Sequence, residues 1–174
     1  ALDLEDGKLV WEVTVATPRG TTDLERIADI GGLPLIDSGR LCAAAFQGKV
    51  ACYDIQSRSA VWSRDLSSSS ALVADAKNVY VVDDSGAVHA LDKASGASVW
   101  KQDKLLYRRL TSPVVVDGRI VVGDGFGYLH VLSPDDGALI GRLATDGSAI
   151  RSLVPVSSGL LVQTEKGAVV MVRF

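Results

Sequence analysis

Few residues with chemical potential are gathered in this sequence, and none of the gatherings completes a reaction centre. The two cysteines, Cys42 and Cys52, flank a predicted hairpin turn at Phe46-Gln47-Gly48. If that turn is a three-residue loop with Gly48 in the left-handed region, the two thiols face each other across the strands. A disulfide is then geometrically available in an oxidising compartment. Two small buried thiols satisfy the same register, and cysteine is commonly buried as a free thiol, so that reading carries the greater weight. No third and fourth ligands cluster nearby, which argues against a metal site. His89 and His130 sit three residues after Gly86 and Gly127, at one shared repeat position. They are a conceivable ligand pair, but the equivalent positions elsewhere are Ala51 and Val170. Strand packing or a hydrogen-bonded role is favoured for both.

Ser67–Ser70 has no His/Asp context that would make a nucleophile. Gly123-Asp124-Gly125-Phe126-Gly127 has the glycine density of a phosphate loop, yet it lies between two predicted strands with no helix after it. No catalytic residue, metal or cofactor is therefore assigned. A net charge of −3 with no basic stripe argues against nucleic acid as a partner. The 174 residues are 47% apolar, enough for a sizeable core. No window of about 18 uninterrupted apolar residues suggests a membrane span. No N-terminal signal pattern is visible, which says nothing about export.

The elements that would carry these residues are set by internal repetition. Leu91-Asp92 leads through a turn at Gly96 to Trp100, and the same phrase recurs at Leu2-Asp3/Gly7/Trp11 and Tyr53-Asp54/Arg58/Trp62. A further copy runs Leu132-Ser133/Gly137/Gly141, with glycine in the tryptophan's place. Each unit offers four short apolar runs, and Val79-Tyr80-Val81-Val82 or Val114-Val115-Val116 show little polar alternation, as strands buried on both faces do. Four-stranded sheets packed face to face explain the runs and the spacing together, which is a propeller pattern. A β-sandwich is the runner-up, disfavoured by the matched repeats. The spacing predicts blades over 33–66, 71–103 and 113–143, an incomplete blade over 152–174, and the outer strands of a truncated blade over 1–15. Residues 16–32 interrupt the cycle, with the capping-box sequence Thr22-Asp23-Leu24-Glu25 suggesting a short helix or tight turn. Trp11, Trp62 and Trp100 are expected to pack between blades, each burying on the order of 200 Å².

With turn glycines and tryptophans so placed, the chain resembles the eight-bladed, tryptophan-docked propellers of the quinoprotein family. Within that group it is similar over nearly its whole length to the C-terminal half of the periplasmic lipoproteins of the outer-membrane β-barrel assembly machinery. The segments that carry this are Ala1–Gly7, Glu25-Arg26-Ile27-Ala28-Asp29-Ile30, Leu105–Pro113 and Val121–His130. The fold implied is all-β: a partial eight-bladed propeller of about four blades, each of four antiparallel strands.

The resemblance implies a non-enzymatic scaffold at the periplasmic face of the bacterial outer membrane. It would bind the periplasmic (POTRA) domains of the barrel-inserting subunit, BamA, with nascent outer-membrane proteins as a second candidate partner. The full-length parent would carry an N-terminal lipid anchor outside these residues. Asp29 matches the first acidic position of the family's contact loop, and Gly31 stands where a second aspartate is frequent. Partner-binding candidates are Asp29, Arg26 and Ile27 in the insertion and Arg108 and Arg109 in a later connection; loops on a rigid scaffold are where such residues tend to lie. The enzymatic alternative, a pyrroloquinoline-quinone dehydrogenase, needs an adjacent-cysteine disulfide ring that Cys42 and Cys52 cannot form. A general periplasmic protein-binding propeller is the other rival.

Eight blades of about 40 residues need roughly 320, so a half-propeller is expected here. Its terminal sheets would favour self-association, either with another copy or by residues 8–15 completing the last blade.

Overall fold

A computed structural model describes residues 1–16 and 29–174. Among them are four antiparallel sheets and no helix. The first sheet is β1 (Leu35–Asp37), β2 (Arg40–Ala44), β3 (Lys49–Asp54) and β4 (Ala60–Asp65). The second is β5 (Val73–Ala74), β6 (Asn78–Val82), β7 (Val88–Asp92) and β8 (Ser98–Gln102). The third is β9 (Val114–Val116), β10 (Arg119–Gly123), β11 (Tyr128–Leu132) and β12 (Leu139–Ala144). The last has three strands, β13 (Ile150–Val156), β14 (Gly159–Thr164) and β15 (Val169–Val172). Strands follow one another in chain order within every sheet. The innermost strands touch in succession, β1 against β5, β5 against β9 and β9 against β13. Four blades thus stand side by side in a propeller arrangement.

The core is a set of layers between sheets, which is why the strands read as unbroken apolar runs. In β6, Val79 and Val81 pack with Cys42, Val50 and Cys52 of the first sheet. Their neighbours Tyr80 and Val82 point the other way and pack with Ile120, Val122 and Leu132 of the third. Side chains alternate faces along a strand, so a strand with a blade on each side needs apolar residues at every position. Val121, Leu129, Ile150, Leu160 and Val162 fill the next layer.

The tryptophans seal the outer part of two layers. Trp62 Nε1–H donates to the Lys93 carbonyl at 3.0 Å, and Trp100 Nε1–H donates to the Pro134 carbonyl at 2.8 Å. Each ring lies on the turn glycine of the next sheet: a Cβ on Gly96 would stand 2.6 Å from the Trp62 ring, and one on Gly137 would stand 2.5 Å from the Trp100 ring. Both glycines also have φ of +71°, so position and conformation each demand glycine.

Several expectations are corrected. Residues 1–4 and 8–15 do not form strands: the described part of that region holds one isolated bridge, Leu2 with Leu9, and nothing pairs residues 8–15 with β15. A two-stranded ribbon with no further strand beside it is marginal. Trp11 is half-buried and belongs to none of the three apolar layers. In the Phe46–Gly48 turn the left-handed residue is Gln47, at φ 51°, rather than Gly48. Gly48 is required by space, since a Cβ there would sit 2.7 Å from that of Ala16. The register is nevertheless the one expected, Cys42 opposite Cys52, and the two are joined in a disulfide rather than left as buried thiols. Their Cα atoms, 4.0 Å apart, lie at the close approach of directly facing strand residues. The capping-box segment Thr22–Glu25 lies outside the described residues.

Candidate partner-binding face

Each sheet has a turn between its second and third strands, and all these turns lie on one face with the connections between sheets. The turns and connections are tied together by backbone bonds. Tyr107 N–H donates to Ser85 O at 2.9 Å, Gly125 N–H to Arg108 O at 2.8 Å, and Ile150 N–H to Asp124 O at 3.0 Å. Ser69 donates its N–H and hydroxyl to Asp84 Oδ1, at 3.0 and 2.9 Å, and the buried Ser68 hydroxyl donates to Val82 O at 2.6 Å. The serine stretch is thereby structural, a stitch between the first and second sheets.

Two turns on this face are built around an aspartate and a histidine. Asp83 Oδ1 accepts the N–H groups of Ser85 (3.0 Å) and Ala87 (2.9 Å), while Oδ2 meets His89 Nε2 at 2.9 Å. Asp124 repeats the pattern with Phe126 and Tyr128 N–H, both at 2.9 Å, and with His130 Nε2 at 2.8 Å. The sequence signal is Asp-x-x-Gly-x-x-His at two matched repeat positions. The histidine is the conspicuous residue of that signal, but the aspartate is the hub that ties the turn. Both carboxyls are held below the usual carboxylate range. Burial pushes each up, but for Asp83 the Ser85 and His89 side chains outweigh it, and for Asp124 His130, the Tyr128 and Phe126 N–H groups and Arg108 do. With every carboxylate oxygen engaged, these groups hold loops and leave no base poised to take a proton.

Arg108 is turned inward. Its Nε–H donates to Asp124 Oδ2 at 2.7 Å and a terminal nitrogen reaches the same oxygen at 2.6 Å. Its guanidinium also lies over Phe126, 4.8 Å from the ring centre. Asp124 is fully buried, so this charge pair is a fixed part of the scaffold. Arg109 is the exposed member, its guanidinium against Gly125 with a 3.4 Å bond to that carbonyl. Tyr107 (φ 61°) and Arg109 (φ 55°) both adopt the left-handed conformation that costs non-glycine residues energy. The loop bonds above hold them there, with Tyr107 81% exposed.

Asp29 is exposed and joins the same face at the first sheet, where Phe46 N–H donates to its carbonyl at 2.7 Å. Arg26 and Ile27 lie outside the described residues. The structure thus brings Arg108 and Arg109 together at the third sheet and sets Asp29 on the first, one face with two separated stations. Among the described residues no group of three His, Cys, Asp or Glu side chains could hold a metal ion.

Residues 1–102 match the family described as outer membrane protein assembly factor BamB. The chain is 43% identical over 175 residues to the protein of that name from Bordetella pertussis, covering 99% of this chain and 45% of that one. The crystal structure of BamB from Moraxella catarrhalis superposes with a TM-score of 0.91 at 32% identity, over 97% of this chain and 50% of that one. The chain spans about half the length of the relatives it matches. A quinohemoprotein alcohol dehydrogenase from Comamonas testosteroni aligns at a TM-score of 0.58 and 21% identity, over 67% of this chain and 21% of that one, a likeness of fold.

Proposed function

Because the chain belongs to the BamB family of outer membrane protein assembly factors, we propose that it is a non-enzymatic scaffold of the outer-membrane β-barrel assembly machinery. Its four blades are half of an eight-bladed ring at the periplasmic face of the outer membrane, carried by a lipid-anchored parent. The loop face docks on the periplasmic domains of BamA and so assists the folding and insertion of outer-membrane proteins. The observation that carries this reading is a family match joined to similarity along nearly the whole chain, in identity and in fold.

In this reading Asp29 is the charged contact, with Arg26 and Ile27 beside it. Arg109 is a second contact, and Arg108 positions the 105–110 connection from within. The pre-tied loops suit docking, because little conformational freedom is lost when a partner arrives. The sealed cysteine pair and the engaged Asp–His pairs fit a scaffold better than a reaction centre. Self-association through the terminal sheets is also proposed: Val169 and Met171 of β15 are exposed. Sedimentation showing only monomer at high concentration removes that part.

The test is binding of the chain to isolated BamA periplasmic domains. Asp29→Arg reverses a rim charge and is expected to weaken binding about tenfold, mainly through slower association and with a changed salt dependence. Unchanged binding overturns the assignment of Asp29.

A further inference from the structure

The third sheet departs from the repeat along its outer strand. β4 and β8 carry Trp62 and Trp100 at mid-strand, each after an exposed valine, Val61 or Val99, and before polar side chains, Arg64 and Asp65 in one and Lys101 and Gln102 in the other. β12 reads Leu-Ile-Gly-Arg-Leu-Ala, with Gly141 in the tryptophan's place. Leu139, Ile140 and Leu143 are 40%, 54% and 45% exposed. Among the described residues β12 pairs only with β11, so its outward N–H and C=O groups have no strand partner. Natural sheets usually blunt such an edge with charge, proline or a bulge. All three outer strands share a register shift at the same point, so the bulge does not distinguish β12; Leu139 and Leu143 do, standing where the other two strands have Ala60 and Arg64 or Ser98 and Gln102.

A groove of about 430 Å³ runs between β12 and the connection that starts at Lys104. Leu105, Leu139 and Ile140 form its apolar lining, and Lys104, Arg108 and Arg142 its cationic rim. No Asp or Glu lines it. Arg108 is neutralised by Asp124 behind the wall, whereas Lys104 and Arg142 form no ion pair among the described residues. The Arg142 guanidinium rests over the Tyr128 ring, 4.8 Å from its centre. Arg142 faces His130 across the ladder and Leu139 faces Leu132, so both side chains turn toward the same neighbouring blade as the groove.

We propose that β12 is a strand-addition site for an extended segment of an unfolded outer-membrane protein. The backbone of that segment pairs with the open edge. On the side facing the groove, an apolar side chain settles on Leu139 and Ile140, and an acidic one about two positions along meets Arg142 and Lys104. Main-chain pairing gives an affinity tolerant of sequence, and the apolar lining with its cationic rim gives the preference. An assembly factor handling many different barrel strands needs that combination. The proposal rests on the reading above only for the source of the segment.

The experiment is fluorescence anisotropy of labelled peptides of about ten residues, the length of a membrane-barrel strand, titrated with the full chain. One peptide alternates Leu with Thr and carries Glu two positions from a Leu. The second has Lys for Glu, and the third has Pro at alternate positions, which removes the pairing N–H groups. The acidic peptide is expected to bind, the Lys peptide about tenfold more weakly, and the Pro peptide not measurably. Hydrogen exchange is expected to show new protection in β12 alone among the outer strands. Ile140→Lys and Lys104→Glu, at an exposed position, each weaken the acidic peptide about tenfold. Asp29→Arg leaves it unchanged, so failure here and failure of BamA docking are separable. Equal binding of the Pro peptide, protection elsewhere than β12, or indifference to Lys104→Glu overturns the proposal.

Discussion

The layer between the second and third sheets and the layer between the third and fourth are built from the same repeat and closed differently. The first holds Trp100, whose ring lies on Gly137, sits 5.8 Å from the Tyr80 ring centre and donates to Pro134 O at 2.8 Å. Gln102 adds a 2.7 Å bond to Gly137 O. The second has only aliphatic side chains, and at the matching point of β12 stands Gly141, whose Cβ would meet nothing closer than Val131 at 3.4 Å. Sheets therefore stack without an aromatic seal. The ring fixes the outer strand β8 to the next sheet, whereas β12, an edge strand like β8, has no such anchor.

The largest expected effect comes from breaking the sealed layer. Trp100→Ala should cost about 3–5 kcal/mol of unfolding free energy, read by urea denaturation. A loss below about 1 kcal/mol would mean the aliphatic layers alone hold the sheets.

The paired corners sharpen the contrast next. Asp124 is buried with both Arg108 and His130, whereas among the described residues Asp83 meets His89 and no lysine or arginine. Asp124→Asn leaves a half-buried guanidinium unmatched and should cost about 3 kcal/mol, against about 1 kcal/mol for Asp83→Asn. Equal costs would show that Arg108 finds compensation from Phe126 and solvent.

Acid should act on the same corners. Both carboxyls titrate below their unfolded values. Their contribution is fully present above the ordinary carboxylate range and is lost as pH falls through the lowered folded values. Thermal melts should therefore drop below about pH 4, less steeply in Asp83→Asn and least in Asp124→Asn. An identical acid profile in all three proteins would remove these groups from the account.

The smallest effect is expected at the open edge. Gly141→Ala has room for its methyl group, and a strand glycine is entropically unfavourable, so stability should change by no more than about 0.5 kcal/mol. A strong loss would reveal a packing role for Gly141 that the layer does not display.

Much of the sheet order was legible in the sequence because blades are local: each strand pairs with the next in the chain, and the turn glycines and apolar runs announce the pairing. Cys42 opposite Cys52 followed from turn length alone. What could not be read was whether the thiols were joined, because register brings sulfurs together and says nothing of their oxidation. The turn also put its left-handed residue at Gln47, since Gly48 was needed where Ala16 approaches it.

The repeat by itself determined that sheets would form, in what order, and where tryptophans would meet them, since these depend on periods and near neighbours. The tertiary structure decided which side chains were spent and which were free. Arg108 and Arg109 are adjacent and alike in sequence, yet one is locked to Asp124 and the other faces solvent. That division depends on a carboxylate sixteen residues away being carried to Arg108 by the packing of β10 and β11. Residues 8–15 made the converse point: an apolar pattern is not a strand until another strand lies beside it to take up its backbone bonds.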